Sequence, residues 1–286
     1  MVVTGATGTT GKLVVEELKR RPGVKVRAAV RSIAKARSLF SGVEVVTMDY
    51  TRPDSVEDAL RGAHAVYLVT PGGSGQIEQT WVTVQAARAT GIERIVKLGS
   101  LDAPRGPRTQ VERWCTMSED MVRGSGAAYT FLRPTWFDQD FTEMYFAPTV
   151  KSLGLVAAPM GEGKAGWIDC RDVAAVAAVA LTEDGHAGKA YTLTGPALIG
   201  VREIVGHLSR AAGRTIRYLD TPEAVQRLLV RLAGMPPRDV DAITELIGKL
   251  RGGWLTDVTD DVARILGRPP ISFERFAADH AATLRG

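Results

Sequence analysis

Short apolar runs alternate with amphipathic stretches along the chain up to about residue 195. Apolar runs predict β-strands, whereas apolar residues three and four positions apart predict helices. The pattern predicts strands at 2–4, 24–30, 43–48, 65–70, 94–100, 129–133 and 190–194. It predicts helices directly after residue 11 and at 33–40, 53–60, 76–90, 109–123 and 172–181. Repeated strand–helix units with short loops are typical of a parallel sheet covered on both faces.

The last third of the chain has a different character. Helical patterns at 201–212, 222–233 and 238–250 are separated by glycine and proline, and 217–219 predicts one short strand. We therefore predict an α/β protein with a doubly wound parallel sheet and a smaller, mostly helical C-terminal substrate region. The predicted domains are 1–195, in which 135–166 crosses towards the substrate pocket, and 196–286.

Three glycines lie between the first predicted strand and the first predicted helix. Gly5, Gly8 and Gly11 are spaced by three and three, not by the two and three of the commonest dinucleotide fingerprint. Gly5 lets the chain turn, Gly8 places no Cβ against a ligand, and Gly11 lets the helix pack close to the strand. Amides at the helix N-terminus would then face an anionic pyrophosphate. This context favours a dinucleotide site over a plain strand–helix turn.

The end of the second predicted strand selects the dinucleotide. Proteins that prefer NAD usually carry Asp or Glu there, whereas this chain has Arg31, followed by Lys35 and Arg37. A carboxylate would repel a 2′-phosphate, but a guanidinium can bind it with two hydrogen bonds. We predict NADP(H) rather than NAD(H) as the cofactor; the alternative is a solvated basic start of the next helix.

Composition excludes several classes of protein. Hydrophobic residues make up 45% and charged residues 24% of the 286 residues, which is typical of a globular protein. The net charge of +4 is spread along the chain, so we expect no nucleic-acid partner and no membrane partner. No signal-like segment opens the sequence and only two cysteines are present, which favours the cytoplasm. The four histidines have no metal-binding spacing, so we predict no metal site.

Several segments together resemble the NmrA-like atypical short-chain dehydrogenase/reductases over essentially the whole chain. They are TGATGTTG (4–11), VRAAVRS (26–32), VKLGS (96–100), SGAAYTFLRPTWF (125–137), WIDCRDVA (167–174) and LGRPPISF (266–273). The resemblance implies a Rossmann domain at 1–195 that binds NADP(H), with a small C-terminal substrate region. Some members of this family reduce quinones, ketones or imines, and others are redox-sensing regulators without known turnover.

The resemblance also implies roles for residues at the strand ends. The residues assigned to the pyrophosphate are Gly5, Thr7, Gly8, Thr9, Thr10 and Gly11. Arg31 would contact the 2′-phosphate, and Asp49 and Tyr50 would flank the adenine. Thr70, Pro71 and Gly72 would lie beside the nicotinamide ribose, with Ser100 and Pro134 near the nicotinamide. For Asp49 and Thr70 the alternative is ordinary capping of a strand end.

The helix predicted at 109–123 lacks the usual proton donor. Classical reductases of this superfamily use a tyrosine acid and a lysine four residues later, but this helix contains neither. Relatives often place His or Lys where this chain has Cys115. The thiol could be an active-site group or a small buried hydrophobe. The proton could instead come from Ser100, from water or from the substrate, or there could be no turnover.

Aromatic residues follow the sixth predicted strand. Trp136 and Phe137 come directly after Pro134, and with Trp114 they could line a flat pocket for an aromatic substrate. Trp136, Ser100 and Cys115 are the candidate catalytic residues. The alternative for the aromatic residues is a core position, which we expect for Phe141 and Phe146. We expect Asp138 and Asp140 to be solvated.

Two further aspartates, Asp169 and Asp172, look like a catalytic pair. We predict that they are structural, with Asp172 as the N-cap of the helix that starts there.

These observations predict an NADPH-dependent reductase of a carbonyl or quinone group on an aromatic or polycyclic small molecule. The chain would act as a monomer or homodimer. The alternatives are a non-catalytic redox sensor that binds NADP and regulates a partner protein, and an enzyme of the same fold that catalyses a non-redox rearrangement.

Overall fold

The computed structural model describes residues 1–70, 73–100, 109–232, 234–253 and 257–285, and of Lys35 the backbone alone. The chain forms two compact units. The first contains residues 1–108, 112–133 and 173–192, and the second contains 109–111, 134–172 and 193–286. Residues 134–172 therefore lie with the C-terminal residues, although they precede the predicted boundary at 195.

The described strands are numbered in chain order. They are β1 Val2–Val3, β2 Arg27–Val30, β3 Glu44–Thr47, β4 Ala65–Leu68, β5 Arg94–Leu98, β6 Ala128–Pro134, β7 Leu155–Ala158, β8 Lys164–Ala165, β9 Lys189–Leu193, β10 Ile199–Gly200 and β11 Arg217–Asp220.

The described helices follow the same numbering. They are α1 Thr9–Lys19, α2 Ile33–Ala36, α3 Pro53–Leu60, α4 Gln76–Thr90, α5 Gln110–Arg123, α6 Ala147–Leu153, α7 Cys170–Thr182, α8 Val201–Ala212, α9 Glu223–Leu232, α10 Pro237–Arg251, α11 Asp261–Leu266, α12 Phe273–Asp279 and α13 Ala281–Arg285.

The first unit is built on a seven-stranded sheet with the order β3-β2-β1-β4-β5-β6-β9. Strands β1 to β6 pair in parallel. This is the doubly wound α/β sheet that the apolar runs predict. The strand order reverses at β1, between β2 and β4, and ligands bind at such a reversal, outside the carboxyl ends of the strands.

Burial on both faces explains the near-continuous apolar strands. All four residues of β4 are buried, and Val2, Val66 and Ile95 lie in one hydrophobic cluster with residues of α3 and α4. Parallel strands covered by helices on both sides have no solvated face on which polar side chains could alternate. The core therefore fixes the sheet and leaves the loops at its carboxyl edge free for function.

Local signals place several helix boundaries as predicted. Helix α3 begins at Pro53, and α4 ends where Gly91 takes a left-handed conformation with φ of +71°. The helix predicted at 33–40 is wrong in length, because α2 ends at Ala36. Its later residues, such as Ser38 and Leu39, are exposed and bury no continuous apolar face.

The second unit is a mixed assembly of helices and short strands. Strands β7 and β11 pair in parallel, and β8 and β10 pair in antiparallel fashion. Helix α8 lies against α12 and α13, and α9 lies against α10. No described helix is both long and apolar enough to cross a membrane.

Candidate functional site

The loop between β1 and α1 has the geometry of a glycine-dependent cradle. Gly5 has φ of +55°, a conformation that other residues rarely adopt. A Cβ added at Gly11 would lie 2.2 Å from the carbonyl oxygen of Gly5, which is an impossible contact. A Cβ at Gly8 would lie 3.1 Å from the same oxygen, a tight contact that a shift of a few tenths of an ångström would relieve. The three glycines therefore hold the loop tightly against the start of α1.

The N-terminus of α1 is open to an anion. The helix begins after Gly8, which provides no side-chain cap, and its first turn contains no acidic residue. The first amides of a helix have no partner within the helix, and its dipole attracts negative charge. Thr7 is exposed and Thr9 half-buried, so hydroxyl groups border these amides. The arrangement fits a pyrophosphate.

A side-chain hydrogen-bond pair joins the ends of β1 and β4. The Thr4 hydroxyl donates to the carbonyl of Val69 at 3.0 Å and accepts from the Val69 amide at 2.9 Å. The glycine loop is thereby held next to Thr70, which is half-buried. Pro71 and Gly72, the next predicted contacts, lie outside the described residues.

Arg31 follows β2, is exposed, and makes no ion pair with any described residue. Its charge nevertheless reaches Asp49 after β3, because hydrogen bonds from Thr51, and then the charges of Arg52 and Arg31, lower the pKa of that carboxyl. A guanidinium without a carboxylate partner at this edge is available to a 2′-phosphate.

Asp49 and Tyr50 are only partly available to an adenine. One Asp49 oxygen accepts from the amide and the hydroxyl of Thr51, at 3.0 and 2.8 Å, which is the strand-end capping named above as the alternative. The Tyr50 ring packs against the hydrophobic cluster, and burial raises the pKa of its hydroxyl. The second Asp49 oxygen remains 3.9 Å from Nε of Arg52. The adenine role of both residues stays a prediction.

Ser100 and Pro134 end neighbouring strands. Ser100 is half-buried two residues beyond β5, and Pro134 is the buried last residue of β6. Gly99 and Leu132 keep the two strands together, since the Gly99 amide donates to the Leu132 carbonyl at 2.8 Å.

Helix α5 turns Cys115 into the interior while Trp114 is half-buried. The thiol donates to Oε1 of Gln76 at 3.6 Å. Burial raises the pKa of Cys115 to about 11, despite the opposing charge of Lys97. A thiol with such a pKa is a weak acid at neutral pH, and this geometry is that of the buried small residue considered as one alternative.

A buried charged cluster that no sequence motif predicted surrounds Lys97. The side chain of Lys97 on β5 is 1% exposed, and Glu119 on α5 is equally buried. Glu119 accepts two hydrogen bonds from Arg133 of β6, at 2.9 and 2.5 Å. The signal was in the sequence, because VKLGS places a lysine inside an otherwise apolar strand.

In the second unit, Trp136 and Phe137 are half-buried. Trp136 packs on Trp167 with ring centroids 5.8 Å apart. Phe141 and Phe146 are buried and their ring centroids lie 5.3 Å apart, which confirms the predicted core positions. Trp167 also packs on Phe141, so the ring of Trp136 is connected to the aromatic core of the second unit.

Two aspartates expected to be solvated are buried instead. Asp138 is fully buried, neither carboxylate oxygen has a hydrogen-bond partner among the described residues, and burial next to Asp169 and Asp140 raises its pKa well above normal. Burial raises the pKa of Asp140 to about 7. The expectation was wrong because a short 3-10 helix, Asp138–Phe141, carries both residues into the interior of the second unit.

Asp169 and Asp172 are structural, but the predicted N-cap was the wrong one of the two. Asp169 precedes α7 and accepts from the amide of Arg171 at 2.8 Å, as an N-cap does. Asp172 lies inside the first turn; it accepts from the Ile271 amide at 2.7 Å and forms an ion pair with Arg268 at 2.7 Å. Across the described part of the chain, no group of His, Cys, Asp and Glu side chains could hold a metal ion.

Comparison with known proteins agrees with this geometry. A family model described as NAD(P)H-binding matches residues 5–184. The chain is 36% identical over 284 residues to an NAD(P)H azoreductase of Xenophilus azovorans, a match that covers 99% of this chain and 98% of that protein.

Solved structures show the same architecture. The NADPH-dependent quinone oxidoreductase of Escherichia coli in complex with NADPH has a TM-score of 0.83 and 28% identity, over 100% of this chain and 99% of that one. The Citrobacter sp. triphenylmethane reductase in complex with NADP(H) has a TM-score of 0.83 and 26% identity, over 98% and 99% of the two chains.

Proposed function

Because the chain belongs to the NAD(P)H-binding family and is an NmrA-like, NADP(H)-dependent oxidoreductase, we propose that it reduces conjugated acceptors on aromatic small molecules. Quinones are the first candidate class, followed by azo compounds and aromatic ketones. The observation that carries this choice is α5, which offers Cys115 and no tyrosine or lysine.

NADPH, when bound, supplies the hydride, and residues of the first unit hold it. The amides at the start of α1 would bind the pyrophosphate, and Arg31, which has no ion pair among the described residues, would bind the 2′-phosphate. The close approach of Gly11 to Gly5 supports this assignment, because only glycine at position 11 lets the loop pack this tightly against the start of α1.

The absence of the tyrosine and lysine pair on α5 favours acceptors that delocalise charge. Hydride transfer to an isolated ketone leaves a localised alkoxide, which needs a positioned acid. Transfer to a quinone spreads the negative charge over the ring, so nearby dipoles and cations suffice to stabilise it. Cys115 is buried and its thiol donates to Gln76, so it is poorly suited to the first task.

The names of the relatives support this choice of substrate class. One is an azoreductase, one a quinone oxidoreductase and one a triphenylmethane reductase. Trp114, Trp136 and Phe137 are half-buried aromatic residues. Because Trp136 and Phe137 directly follow Pro134 in the sequence, we assign them the contact with the flat substrate; the ring of Trp136 packs on Trp167.

The test is NADPH oxidation followed at 340 nm with a matched panel of acceptors. The panel contains a naphthoquinone, an azo dye, an aryl ketone and an aliphatic ketone of similar size. We expect turnover with the quinone and the azo dye, weaker turnover with the aryl ketone and none with the aliphatic ketone. Equal rates with both ketones would contradict the argument from delocalisation.

Trp136→Ala tests the aromatic contact in the same assay. Loss of the ring should lower kcat/KM with the quinone about a hundredfold through misorientation of the substrate, while the affinity for NADPH is unchanged. Trp81→Ala is the matched control, because Trp81 on α4 is 52% exposed. If NADPH binds but no acceptor is reduced, the chain is a sensor and the proposal fails.

A further inference from the structure

We propose that Lys97 is a positioning residue of this reductase, whose buried charge stabilises the anion that hydride transfer creates on the substrate. It would take the place of the lysine that α5 lacks. This inference rests on the proposed function, because it needs a substrate that gains negative charge.

Lys97 lies on β5 close to the ligand-binding edge of the sheet. In the register of the strands it stands beside Leu68 of β4 and Phe131 of β6, so these three side chains share one face. Ser100 follows it by three residues on the same chain segment. The ammonium donates to the carbonyl of Leu98 at 3.1 Å, one residue nearer to the carboxyl edge.

The positive charge of Lys97 has no dedicated carboxylate within the described part of the chain. Glu119 is the carboxylate whose charge raises the pKa of Lys97, but both its oxygens accept from Arg133, and Arg123 adds a further contact at 3.2 Å. The other groups facing this cluster are Cys115 and Glu112 of α5, and Gln76, which accepts from the thiol. Burial lowers the pKa of Lys97, opposed by Cys115 and Glu119.

A structural role explains such a residue poorly. Taking an ammonium out of water costs several kcal/mol, and apolar residues of similar volume are usually as stable or more stable at such positions. Lysines with a pKa perturbed by burial cluster at functional sites for this reason. Lys97 lies close to the carboxyl edge of the sheet, where we place the cofactor. A role in the reaction there would explain why the desolvation cost of its ammonium is tolerated.

The chemistry requires a cation but no contact with the substrate. The hydride brings two electrons to the acceptor, which becomes an anion until it takes a proton from water. A charge in a buried, low-dielectric surrounding acts over longer distances than one in water, and it needs no reorganisation during the reaction. Lys97 supplies this charge as long as it is protonated.

Lys97→Met is the central experiment, because methionine keeps the length of the side chain and removes the charge. We expect kcat with a naphthoquinone to fall about a hundredfold while the affinity for NADPH stays within twofold. Resistance to urea should not decrease. In the parent enzyme the rate should fall at alkaline pH with an apparent pKa below the ordinary lysine value of about 10.4, and this limb should vanish in the variant.

Two further variants distinguish the loss of the Lys97 charge from simple damage to the core. Thr130→Val removes another buried polar group, on the neighbouring β6, and should leave the rate and its pH profile unchanged. The double variant Lys97→Met, Cys115→Lys moves the amine to α5. Its kcat should be at least tenfold higher than that of Lys97→Met alone. A Lys97→Met enzyme within threefold of the parent, with the alkaline limb intact, would overturn the proposal.

An NMR titration tests Lys97 without turnover and so distinguishes the two proposals. The 13Cε signal that disappears in Lys97→Met reports the protonation of this side chain. Binding of NADP⁺ and the anion of 2-hydroxy-1,4-naphthoquinone should raise its pKa, because the anion stabilises the ammonium. An unchanged pKa in the ternary complex contradicts the role of Lys97, whereas absent turnover with every acceptor contradicts the proposed function.

Discussion

Gly8 and Gly11 differ in how closely a Cβ would approach the carbonyl oxygen of Gly5. At Gly11 the distance would be 2.2 Å, so Gly11→Ala should separate α1 from β1 and lower the stability of the fold. At Gly8 it would be 3.1 Å, which a small shift relieves, so a larger side chain there should compete mainly with the pyrophosphate that we assign to this loop. We expect Gly8→Val to abolish NADPH binding while the circular dichroism spectrum stays that of the parent. Normal NADPH affinity in Gly8→Val would show that the glycine serves the turn alone.

Arg31 determines the choice between the two nicotinamide cofactors. It is exposed and without an ion pair among the described residues, so a 2′-phosphate can form charge-assisted hydrogen bonds with it. We expect NADPH to bind about tenfold or more tightly than NADH, and Arg31→Ala to remove most of that difference. Calorimetric titration of both cofactors measures it, with Arg37→Ala as the control. Equal affinities in the parent chain would refute this assignment.

Cys115 is predicted to be dispensable for the chemistry. Cys115 is 5% exposed, and its thiol donates its one hydrogen to Gln76, so it offers none to a substrate. Cys115→Ala should therefore keep kcat within about tenfold of the parent, as expected for a packing change rather than a lost acid. A hundredfold loss with folding and NADPH affinity intact would instead make the thiol the proton donor.

At the scale of elements, the segment from Pro134 to α7 collects buried carboxyl groups. Asp138, Asp140, Asp169 and Asp172 all lie in the interior of the second unit. Asp169 and Asp172 have arginine partners, Arg171 and Arg268, whereas Asp138 is bonded to no described side chain. Burial therefore favours the neutral form of the unpaired carboxyls.

This burial makes stability depend on pH. The folded-state pKa of Asp140 is about 7, above the unfolded value of 3.8, so the folded chain holds this proton more tightly. Its contribution is complete below pH 3.8 and is lost as pH rises through 7. Asp140→Asn should thus be more stable than the parent at pH 8, with a smaller difference at pH 5, as urea unfolding would measure.

The exposed pair of Asp58 and Arg61 provides the control for this effect. Asp58 is 67% exposed, so Asp58→Asn should leave the pH dependence of the urea midpoint as it is in the parent. The interpretation of Asp140 would be wrong if Asp140→Asn and the parent chain lost stability in parallel between pH 5 and pH 8.

At the scale of the whole molecule, cofactor binding should increase the free energy of unfolding. A ligand that binds only the folded chain at 100 times its Kd adds about 2.7 kcal/mol to the free energy of unfolding. For a chain of this size NADPH should raise Tm by about 5 °C or more, and NADH at the same concentration by less. Thermal melts of the parent and of Arg31→Ala, each with NADPH and with NADH, measure these two increases in Tm. An identical Tm with and without NADPH would contradict the assigned site.

The sequence alone determined the parts of this protein that depend on local rules. The apolar runs of β4 and β5, Pro53 at the start of α3 and Gly91 at the end of α4 act within a few residues, so the sheet and its helices could be predicted. The glycine loop belongs to the same class, because Gly5, Gly8 and Gly11 are neighbours in the chain. The NADP(H) cofactor followed from Arg31, whose place at the end of β2 is fixed by the same periodicity.

Tertiary structure decided everything that depends on which side chains meet. The sequence could not tell that Asp138 and Asp140 are buried, because charge in a loop is normally solvated and only packing of the second unit removes the water. It did not reveal that α5 covers Lys97, or that Arg133 occupies the carboxylate of Glu119. Such contacts join residues that are 14 to 22 positions apart in the chain. The cost or use of a buried charge is set by those neighbours rather than by the residue type.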